Sequence, residues 1–464
     1  MSAADAVTDS LQSLRTRFAA VREGKPADYI PQLALADPDA FGLALVSMDG
    51  HRYSAGEADV PFTLQSVSKP FVYALALSLL GLDEVSRWVG AEPSGEAFNA
   101  ISLEPGTGRP ANAMVNAGAI VATALIPDAP DGSAFDRILH CLGRFAGRAL
   151  DVDEEVFASE SVTGDRNRAL AYLIRSTGAM PVDPVRAVDR YFRQCAVRVT
   201  AVDLATMAAT LAYGGVNPVT GERVVSAGVA ARVLAVMATC GMYDGSGEWL
   251  LRVGLPAKSG VSGGLIAVGP ARFGLAVYSP PLDATGSSVR GHAALAALSE
   301  RYGLHLMLNP ALPGSTVTLV TTADDLPSAP SAAHERVLHE RVGVVAAQGS
   351  IDFTAAERVL YALDESGPDG GSVVLDLHDV TSVDSVALAM LHTGLARLAA
   401  DGRHASVVDP HDLLGPPDLV RERTGQDLPR YATREDAVEG CARALAGEGR
   451  AGTTRWPRPT RGGR

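Results

Sequence analysis

The order of predicted strands and helices changes once along this chain, at the segment Asn309 to Pro313. Before it, strands are predicted near both ends of a long helical stretch, which indicates an antiparallel sheet carrying a helical lobe, an α+β arrangement. After it, strands and helices alternate regularly, which is typical of a small α/β domain. We therefore predict two domains, residues 1–312 and 313–446, and a disordered tail of Arg, Gly and Pro at 447–464.

Net charge and cysteine content exclude several classes of protein. With 40 basic and 53 acidic residues the net charge is −13, so the chain offers nucleic acid no general attraction. The four cysteines lie far apart, which predicts neither a disulfide framework nor a metal site and fits a reducing compartment. No basic stretch followed by an apolar one opens the chain, and its longest charge-free runs are broken by Pro, Asn and Gly. We expect a cytoplasmic protein that contacts neither nucleic acid nor membrane.

Local signals predict where several elements lie. Asp-Gly at 49–50, between the apolar segment 41–48 and the segment 51–54, predicts a β-hairpin, and a further strand region is predicted over 257–268. An apolar run predicts a helix over 66–80, and Thr200-Ala-Val-Asp203 resembles a capping box that opens another helix. In the second domain, strands are predicted over 341–348, 372–377 and 405–408, and helices over 354–363, 385–398 and 434–446.

Ser66 and Lys69 stand three residues apart at the start of the predicted helix. At this spacing two helical side chains share a face, so the lysine amine can approach the serine hydroxyl. A serine becomes a good nucleophile when a base removes its proton, and a lysine can be that base as a neutral amine. Lowering its pKa from about 10.4 to 7 requires roughly 4.6 kcal/mol of differential interaction. Pro70 has no N–H to donate to the Ser66 carbonyl, so we expect an irregular helix start.

Lysine is rare in this chain: Lys25, Lys69 and Lys258 are the only lysines among 40 basic residues. Because arginine keeps its proton, a chain that uses it almost everywhere can reserve lysine for a movable proton. Lys258 opens Lys258-Ser259-Gly260 on a predicted strand. S-x-x-K on a helix followed by K-S-G on a strand is the signature of the β-lactamase/transpeptidase-like fold. Lys258 is therefore a further candidate active-site residue.

The sequence around these motifs resembles the serine-dependent glutaminase family over about residues 10–310. The resemblance implies a β-lactamase-like fold and hydrolysis of L-glutamine to L-glutamate and ammonia, with no metal or organic cofactor. It also implies a homo-oligomer, a dimer or a tetramer. The segments that carry it are Ala27–Leu33, Phe62–Pro70, Met114–Ile120, Gly164–Arg168, Tyr191–Cys195, Met242–Gly247 and Leu255–Gly264.

The same resemblance implies a role for individual side chains. Ser66 is the implied nucleophile, which forms an acyl-enzyme, and Lys69 or Tyr191 is its general base. Glu160 suits the substrate ammonium group, asparagine amides suit its carboxylate, and tyrosines can orient protons near the serine. The backbone N–H groups of Ser66 and Val261 are implied to form an oxyanion hole. The residues implied to hold the substrate are Tyr29, Asn116, Glu160, Asn167, Tyr191, Tyr243 and Val261.

Residues from about 335 to 446 resemble the STAS domain, the fold of anti-sigma-factor antagonists. The resemblance rests on an apolar strand that ends in Asp384-Ser385 before an apolar helix. In regulatory members a phosphorylatable Ser or Thr and then Gly follow, whereas this chain has Val386 and Ala387. Asp384 and Ser385 also make a good helix N-cap. We expect a binding or assembly role that involves a protein partner.

Two other functions share parts of this pattern. A penicillin-recognising enzyme or β-lactamase also contains S-x-x-K and K-S-G, but the segments around Asn116, Asn167 and Tyr243 are glutaminase-like. A non-catalytic glutamine sensor would use the same pocket and signal through the second domain. The intact Ser66 and Lys69 pair favours an enzyme.

Overall fold

The chain forms two compact units, Met1–Asn309 and Pro310–Arg464. The computed structural model describes residues 5–95, 101, 103–130, 132–307, 316–323, 341–366, 371–425 and 427–446. The predicted domain boundary at 312/313 and the predicted tail at 447–464 lie outside the described residues, so both stay predictions.

An antiparallel sheet forms one layer of the first unit. The strands of this unit are β1 (Gly42–Ser47), β2 (Arg52–Gly56), β3 (Phe62–Thr63), β4 (Arg198–Val199), β5 (Ala257–Ser259), β6 (Gly264–Gly269) and β7 (Phe273–Tyr278). Five of them form the sheet in the order β2-β1-β7-β6-β5, and β3 pairs with β4 separately. The predicted hairpin is confirmed, because β1 and β2 pair antiparallel across a turn at Gly50, whose φ is +80°.

The predicted strand region over 257–268 consists of two antiparallel strands, β5 and β6. They are joined by the turn Gly260–Gly263, which is closed by a 3.0 Å hydrogen bond from the Gly263 N–H to the Gly260 carbonyl. Gly263 has a φ of +95°, and a side chain there would lie 2.5 Å from the Ser279 carbonyl oxygen. The glycines therefore divide an apolar run that would otherwise continue as one strand.

Helices make up the rest of the first unit. In chain order they are α1 (Asp5–Phe18), α2 (Pro31–Ala34), α3 (Lys69–Leu80), α4 (Leu82–Trp88), α5 (Asn116–Ala124), α6 (Ala134–Ala146), α7 (Glu154–Thr163), α8 (Asp165–Ser176), α9 (Pro184–Cys195), α10 (Ala201–Ala212), α11 (Ala227–Cys240), α12 (Ser246–Arg252) and α13 (Val289–Tyr302), with 3₁₀ helices at Gln65–Ser68 and Tyr243–Gly245. Most of α3, α5 and α9 is buried, and one hydrophobic core joins these helices to the sheet.

Helix α10 lies between the sheet and the other helices, and it is apolar and buried on almost every side. The predicted capping box is confirmed: Thr200 caps the helix by accepting from the Asp203 N–H, and the Asp203 carboxylate accepts from the Thr200 N–H. Gly274 on β7 permits the close approach, because a Cβ atom there would lie 2.1 Å from the Ala209 nitrogen.

The second unit is a five-stranded sheet with helices on both faces. Its elements are β8 (Val317–Thr322), β9 (Val342–Ile351), α14 (Phe353–Glu365), β10 (Ser372–Val383), α15 (Ser385–Ala400), β11 (His404–Val408), α16 (Pro417–Thr424), β12 (Arg430–Tyr431) and α17 (Arg434–Leu445). The order is β12-β11-β10-β9-β8, parallel except for the edge strand β8. The predicted alternation is confirmed, and β8, α16 and β12 are additional.

Alternating side chains of β10 supply the two cores of this second unit. Val373 and Leu375 pack with the residues of α14 and α15, whereas Val374 packs with Val438 of α17. This period of two explains why the run 373–375, which is covered on both faces, is apolar without interruption.

The predicted fold class is confirmed: an α+β unit with an antiparallel sheet and a helical lobe precedes a small α/β unit. Within the described residues, no helix combines the length and the apolar composition that crossing a bilayer requires.

Candidate active site

Ser66 and Lys69 lie where the 3₁₀ helix Gln65–Ser68 passes into α3. Residues i and i+3 of a 3₁₀ turn are eclipsed, so the two side chains share one face. The Lys69 N–H donates to the Ser66 carbonyl, a bond that Pro70 cannot make, and the expected irregular helix start is confirmed. Gln65 has a φ of +47°, a left-handed conformation that costs a non-glycine residue about 1 kcal/mol. The turn that carries the serine is therefore strained and must be held by its surroundings.

A cavity of about 350 Å³ opens beside Ser66. Its lining consists of Tyr29, Ile30, Gln65, Ser66, Asn116, Glu160, Thr163, Gly164, Arg166, Asn167, Tyr191 and Val261. Seven of the ten residues predicted for the site are in this lining, and the other three, Lys69, Tyr243 and Lys258, are connected to it by side-chain contacts. A more open groove of about 500 Å³ beside Arg252 contains none of the predicted residues.

The Lys69 amine is buried and has a neutral partner. Its side chain is 1% exposed, and its Nζ donates to the Asn116 Oδ1 at 2.7 Å. Burial lowers the pKa of Lys69 to about 7, while Cys195 and Glu160 act in the opposite direction. A large fraction of the amine is therefore neutral near pH 7, which is the form that accepts a proton.

Tyr243 connects Ser66 to both buried lysines. Its hydroxyl interacts with the Ser66 side chain, which lowers the Tyr243 pKa against the larger effect of burial, and its ring centroid lies 5.5 Å from the Lys69 Nζ and 3.9 Å from the Lys258 Nζ. Lys258 is fully buried and donates to the Ser259 carbonyl at 2.7 Å, and its burial together with the nearby Lys69 lowers its pKa. Tyr243 has a φ of +57°, so its backbone is also strained.

Asn116 connects its own helix, α5, to three others, α3, α8 and α9, at the edge of the cavity. It is the first residue of α5, and its Oδ1 accepts from Lys69 at 2.7 Å and from the Tyr191 hydroxyl of α9 at 3.4 Å. Its Nδ2 donates to the Asn167 Oδ1 of α8 at 3.1 Å. These contacts fix which end of the Asn116 amide faces the lysine and leave the Asn167 Nδ2 available as a donor.

Glu160 lies on α7 and is 6% exposed, although its sequence context is that of an exposed loop. Burial raises the pKa of Glu160 to about 8, while a hydrogen bond from the Gln65 side chain and the charge of Lys69 act in the opposite direction. Its buried Oε2 has no hydrogen-bond partner among the described residues. A carboxylate oxygen in this condition suits a ligand that brings a positive charge and a donor.

Tyr29 and Val261 lie at the other side of the lining. Tyr29 is 51% exposed, so it stands at the mouth of the cavity, and Val261 follows Gly260 in the buried turn between β5 and β6. No motif singles out Gln65 and Arg166, yet both line the cavity. The only sequence feature that could have indicated them is their position, since Gln65 precedes Ser66 and Arg166 precedes Asn167.

A serine beside a buried lysine of lowered pKa, with K-S-G on a sheet next to a helical lobe, defines a serine hydrolase of the β-lactamase-like fold. The glutaminase family model matches residues 24–307, and the model described as Mlab, STAS domain, matches residues 335–415.

Relatives and solved structures agree with these matches. Glutaminase 1 of Bradyrhizobium diazoefficiens is 47% identical over 398 residues, which are 84% of this chain and 64% of that protein's length. Glutaminase of Corynebacterium glutamicum is 44% identical over 400 residues, which are 86% of this chain and 92% of that protein's length. A crystal structure of Mglu in its glutamate form is 41% identical, covers 88% of this chain and 99% of its own, and superposes with a TM-score of 0.76. The chain belongs to the glutaminase family, with a STAS domain at its C-terminal end.

Proposed function

We propose that Ser66 is the nucleophile with which this glutaminase hydrolyses L-glutamine to L-glutamate and ammonia. The observation that carries the proposal is a buried lysine, Lys69, with a pKa of about 7, on the same turn as a serine that lines a cavity. The similarity to proteins named as glutaminases supports glutamine as the substrate. The structure of Mglu in its glutamate form supports a product of this kind in a homologous protein.

The proposed first step is attack of the Ser66 Oγ on the side-chain amide carbon of glutamine. Neutral Lys69 takes the hydroxyl proton, and Tyr243, which interacts with Ser66, is proposed to orient that hydroxyl. Tyr191 is the poorer base, because burial raises its pKa well above the usual value and disfavours the phenolate. The proton then passes to the amide nitrogen, the C–N bond breaks, and ammonia leaves a γ-glutamyl ester on Ser66.

In the proposed second step a water molecule gives its proton to the neutral Lys69 amine and attacks the ester carbon. The ester C–O bond breaks, the proton returns to Ser66, and glutamate is released. The N–H groups of Ser66 and Val261 are proposed to stabilise the oxyanion in both steps.

Substrate selection is proposed to rest on charge and on amide geometry. Glu160 binds the α-ammonium group, and the orphaned Oε2 supports this role because the ligand would supply its missing donor. Asn167 donates its free amide hydrogens to the α-carboxylate, and Asn116 holds Asn167 in place. Tyr29 covers the ligand at the mouth of the cavity.

The test is ammonia release from L-glutamine compared with L-asparagine. Ser66→Ala is expected to abolish it, and Ser299→Ala is the matched control, a buried serine on α13 whose Oγ bonds the Val253 carbonyl at 2.6 Å. Turnover retained by Ser66→Ala would refute the nucleophile. Glutamine binding by the wild type without turnover would identify a sensor instead of an enzyme.

We also propose that the chain is a cytoplasmic homo-oligomer and that its STAS domain binds a protein partner. The four free cysteines are all buried, which supports a reducing compartment. Light scattering on the full chain and on a chain lacking residues 314–464 measures the assembly state. An unchanged number of subunits per assembly and unchanged activity after the deletion would contradict a role of this domain in assembly or regulation.

A further inference from the structure

Three buried polar side chains form a hydrogen-bonded chain next to the turn that carries Ser66. The Gln194 Nε2 donates to the Ser68 Oγ at 2.9 Å, and the Thr123 Oγ1 lies 2.8 Å from the Gln194 Oε1. Ser68, Thr123 and Gln194 are each 0% exposed, and all three lie outside the described lining of the cavity. They are too deep to touch a substrate.

The hydrogen-bonded series of side chains ends, on the Ser68 side, at the strained part of the catalytic turn. The Ser68 Oγ donates to the Gln65 carbonyl at 2.7 Å, and Gln65 is the residue with a φ of +47°. Ser66 lies between these two residues, so the hydrogen bond closes the loop of backbone on which the nucleophile stands. A left-handed conformation at a glutamine persists only when surrounding contacts over-determine it.

At its other end, this series of hydrogen-bonded side chains reaches α5 and α9, the helices that carry Asn116 and Tyr191. Gln194 is on α9, three residues after Tyr191, and Thr123 is on α5, seven residues after Asn116. The contacts join residues that are 126 and 71 positions apart in the sequence. A single buried amide therefore connects α5, α9 and the serine turn.

A buried amide with both ends satisfied fixes one relative orientation of the groups it joins. If one partner is removed, a buried donor or acceptor is left without a hydrogen bond, and the amide rotates or shifts to regain one. An apolar side chain of similar volume would fill the space without specifying this orientation. The three polar side chains are thus better suited to fixing the relative orientation of the elements they join than to packing the core.

We propose that Gln194 is a positioning residue for the nucleophile, which acts through Ser68 and depends on Thr123. It fixes the position of the Gln65–Ser68 turn relative to α5 and α9, so that Ser66 faces Lys69 and the substrate amide. This inference rests on the proposed function of Ser66. A displacement of about 1 Å at a reacting atom costs on the order of 100-fold in rate.

The test separates the Thr123 hydroxyl from the Thr123 methyl group. Thr123→Val keeps the volume and removes the hydroxyl, and Thr123→Ser keeps the hydroxyl and removes the methyl group. Thr210→Val is the matched control: Thr210 is also 0% exposed on a helix, and its Oγ1 lies 2.9 Å from the carbonyl four residues earlier, as the Thr123 Oγ1 lies 2.8 Å from the Ala119 carbonyl. The second acceptor of Thr210 is the backbone carbonyl of Phe145 on α6, which is not part of the Gln65–Ser68 turn.

The expected result is a loss of kcat for glutamine of about 10- to 100-fold in Thr123→Val, with kcat within about twofold of the wild type in Thr123→Ser and Thr210→Val. Thermal melting is measured on all variants, and a purely structural role predicts that kcat follows melting temperature. Gln194→Met is expected to lose as much kcat as Thr123→Val, and the double variant to lose no more than the larger single loss.

The proposal is overturned if Thr123→Val keeps kcat within the range of Thr210→Val, or if Thr123→Ser loses as much as Thr123→Val. It is also overturned if the Gln194 and Thr123 losses multiply. Wild type and Ser66→Ala in the same assay separate the two claims. Turnover by Ser66→Ala refutes the assignment of the nucleophile. An inactive Ser66→Ala variant together with an unchanged kcat in Thr123→Val refutes the positioning role alone.

Discussion

The buried charges at the cavity of the first unit meet partners of another kind than two buried carboxylates of the second unit do. In the second unit, Asp376 is 3% exposed and accepts from the Arg434 Nε at 2.7 Å, and Asp409 is 5% exposed and accepts from two backbone N–H groups at 2.8 and 3.0 Å. In the first unit, Lys69 and Lys258 bond an amide and a carbonyl oxygen, and Glu160 bonds an amide.

This difference distinguishes buried charges that stabilise the fold from buried groups that take part in binding or catalysis. A buried ion that meets an opposite charge or several N–H groups contributes to one folded geometry. A buried ion with neutral partners has a shifted pKa and becomes a group that exchanges protons or waits for a charged ligand. The second kind surrounds the cavity of the glutaminase unit.

The largest effect expected from this contrast is at Lys69. Lys69→Met is expected to lower kcat by about 10³-fold, because the base is gone. The same change is expected to raise the free energy of unfolding at pH 7 by about 2 kcal/mol, because a buried amine is replaced by an apolar chain. Ammonia release and chemical denaturation measure the two. A kcat within tenfold of the wild type would contradict the role of the lysine.

The stability gain at Lys69 has a defined pH window. The folded-state pKa of about 7 lies below the ordinary value of 10.5, so between these pH values the unfolded chain binds the extra proton. The wild-type stability due to this group therefore rises with pH across that window, and the advantage of Lys69→Met should disappear toward its upper end. A constant difference would show that the gain has another cause.

A smaller loss is expected at Glu160, which is proposed to bind the substrate ammonium group. Glu160→Gln is expected to lower kcat/KM by about 100-fold, because a buried charge pair with the substrate is lost. Glu155→Gln is the control, since Glu155 lies on the same helix and is exposed. Equal effects in the two variants would remove Glu160 from the site.

The pH dependence of kcat/KM sharpens the comparison further. Both Lys69, with a pKa of about 7, and Glu160, with a pKa of about 8, must lose a proton in the free enzyme before glutamine is bound and attacked. We expect kcat/KM to rise about 10-fold between pH 7 and 8, a range in which the substrate keeps its α-ammonium charge. The Glu160→Gln variant should lose the upper inflection and keep the lower one. A profile that falls with rising pH in this range would contradict both assignments.

The smallest effect on activity is expected in the second unit. Arg434→Met leaves Asp376 buried without its ion pair and should destabilise this unit by about 2 kcal/mol, with kcat/KM changed by less than about twofold. Arg443→Met is the control, because its pair with Glu439 spans 3.9 Å and is exposed. Hydrogen exchange in β10 reports the stability. Equal protection in the two variants would show that the Asp376 pair is not structural.

The sequence predicted those parts of the site that depend on local spacing. Ser66 and Lys69 are three residues apart, and Pro70 alone predicts an irregular turn, so their common face follows from backbone geometry. Glu160 could be assigned only through the family resemblance, since its burial depends on the packing of α7 against other helices. The contacts of Gln194 also required the fold, because they join segments far apart in the sequence.

The second unit shows the same limit. The buried strands are apolar runs and were predicted, whereas β8 is an edge strand with three threonines among its six residues and only partial burial. Helix α16 follows Pro416 and contains mostly polar residues, so no apolar period marks it. Elements that bury little surface leave little pattern in the sequence.

The central claim is that Ser66 carries the glutamyl group during the reaction. The most direct measurement mixes the full chain with L-glutamine, quenches it in acid within one turnover, and maps the adduct by peptide mass spectrometry. A γ-glutamyl ester is expected on the peptide that contains Ser66, and it should be absent from Ser66→Ala. A glutamyl group on another side chain, or glutamate formed at full rate by Ser66→Ala, would contradict the account.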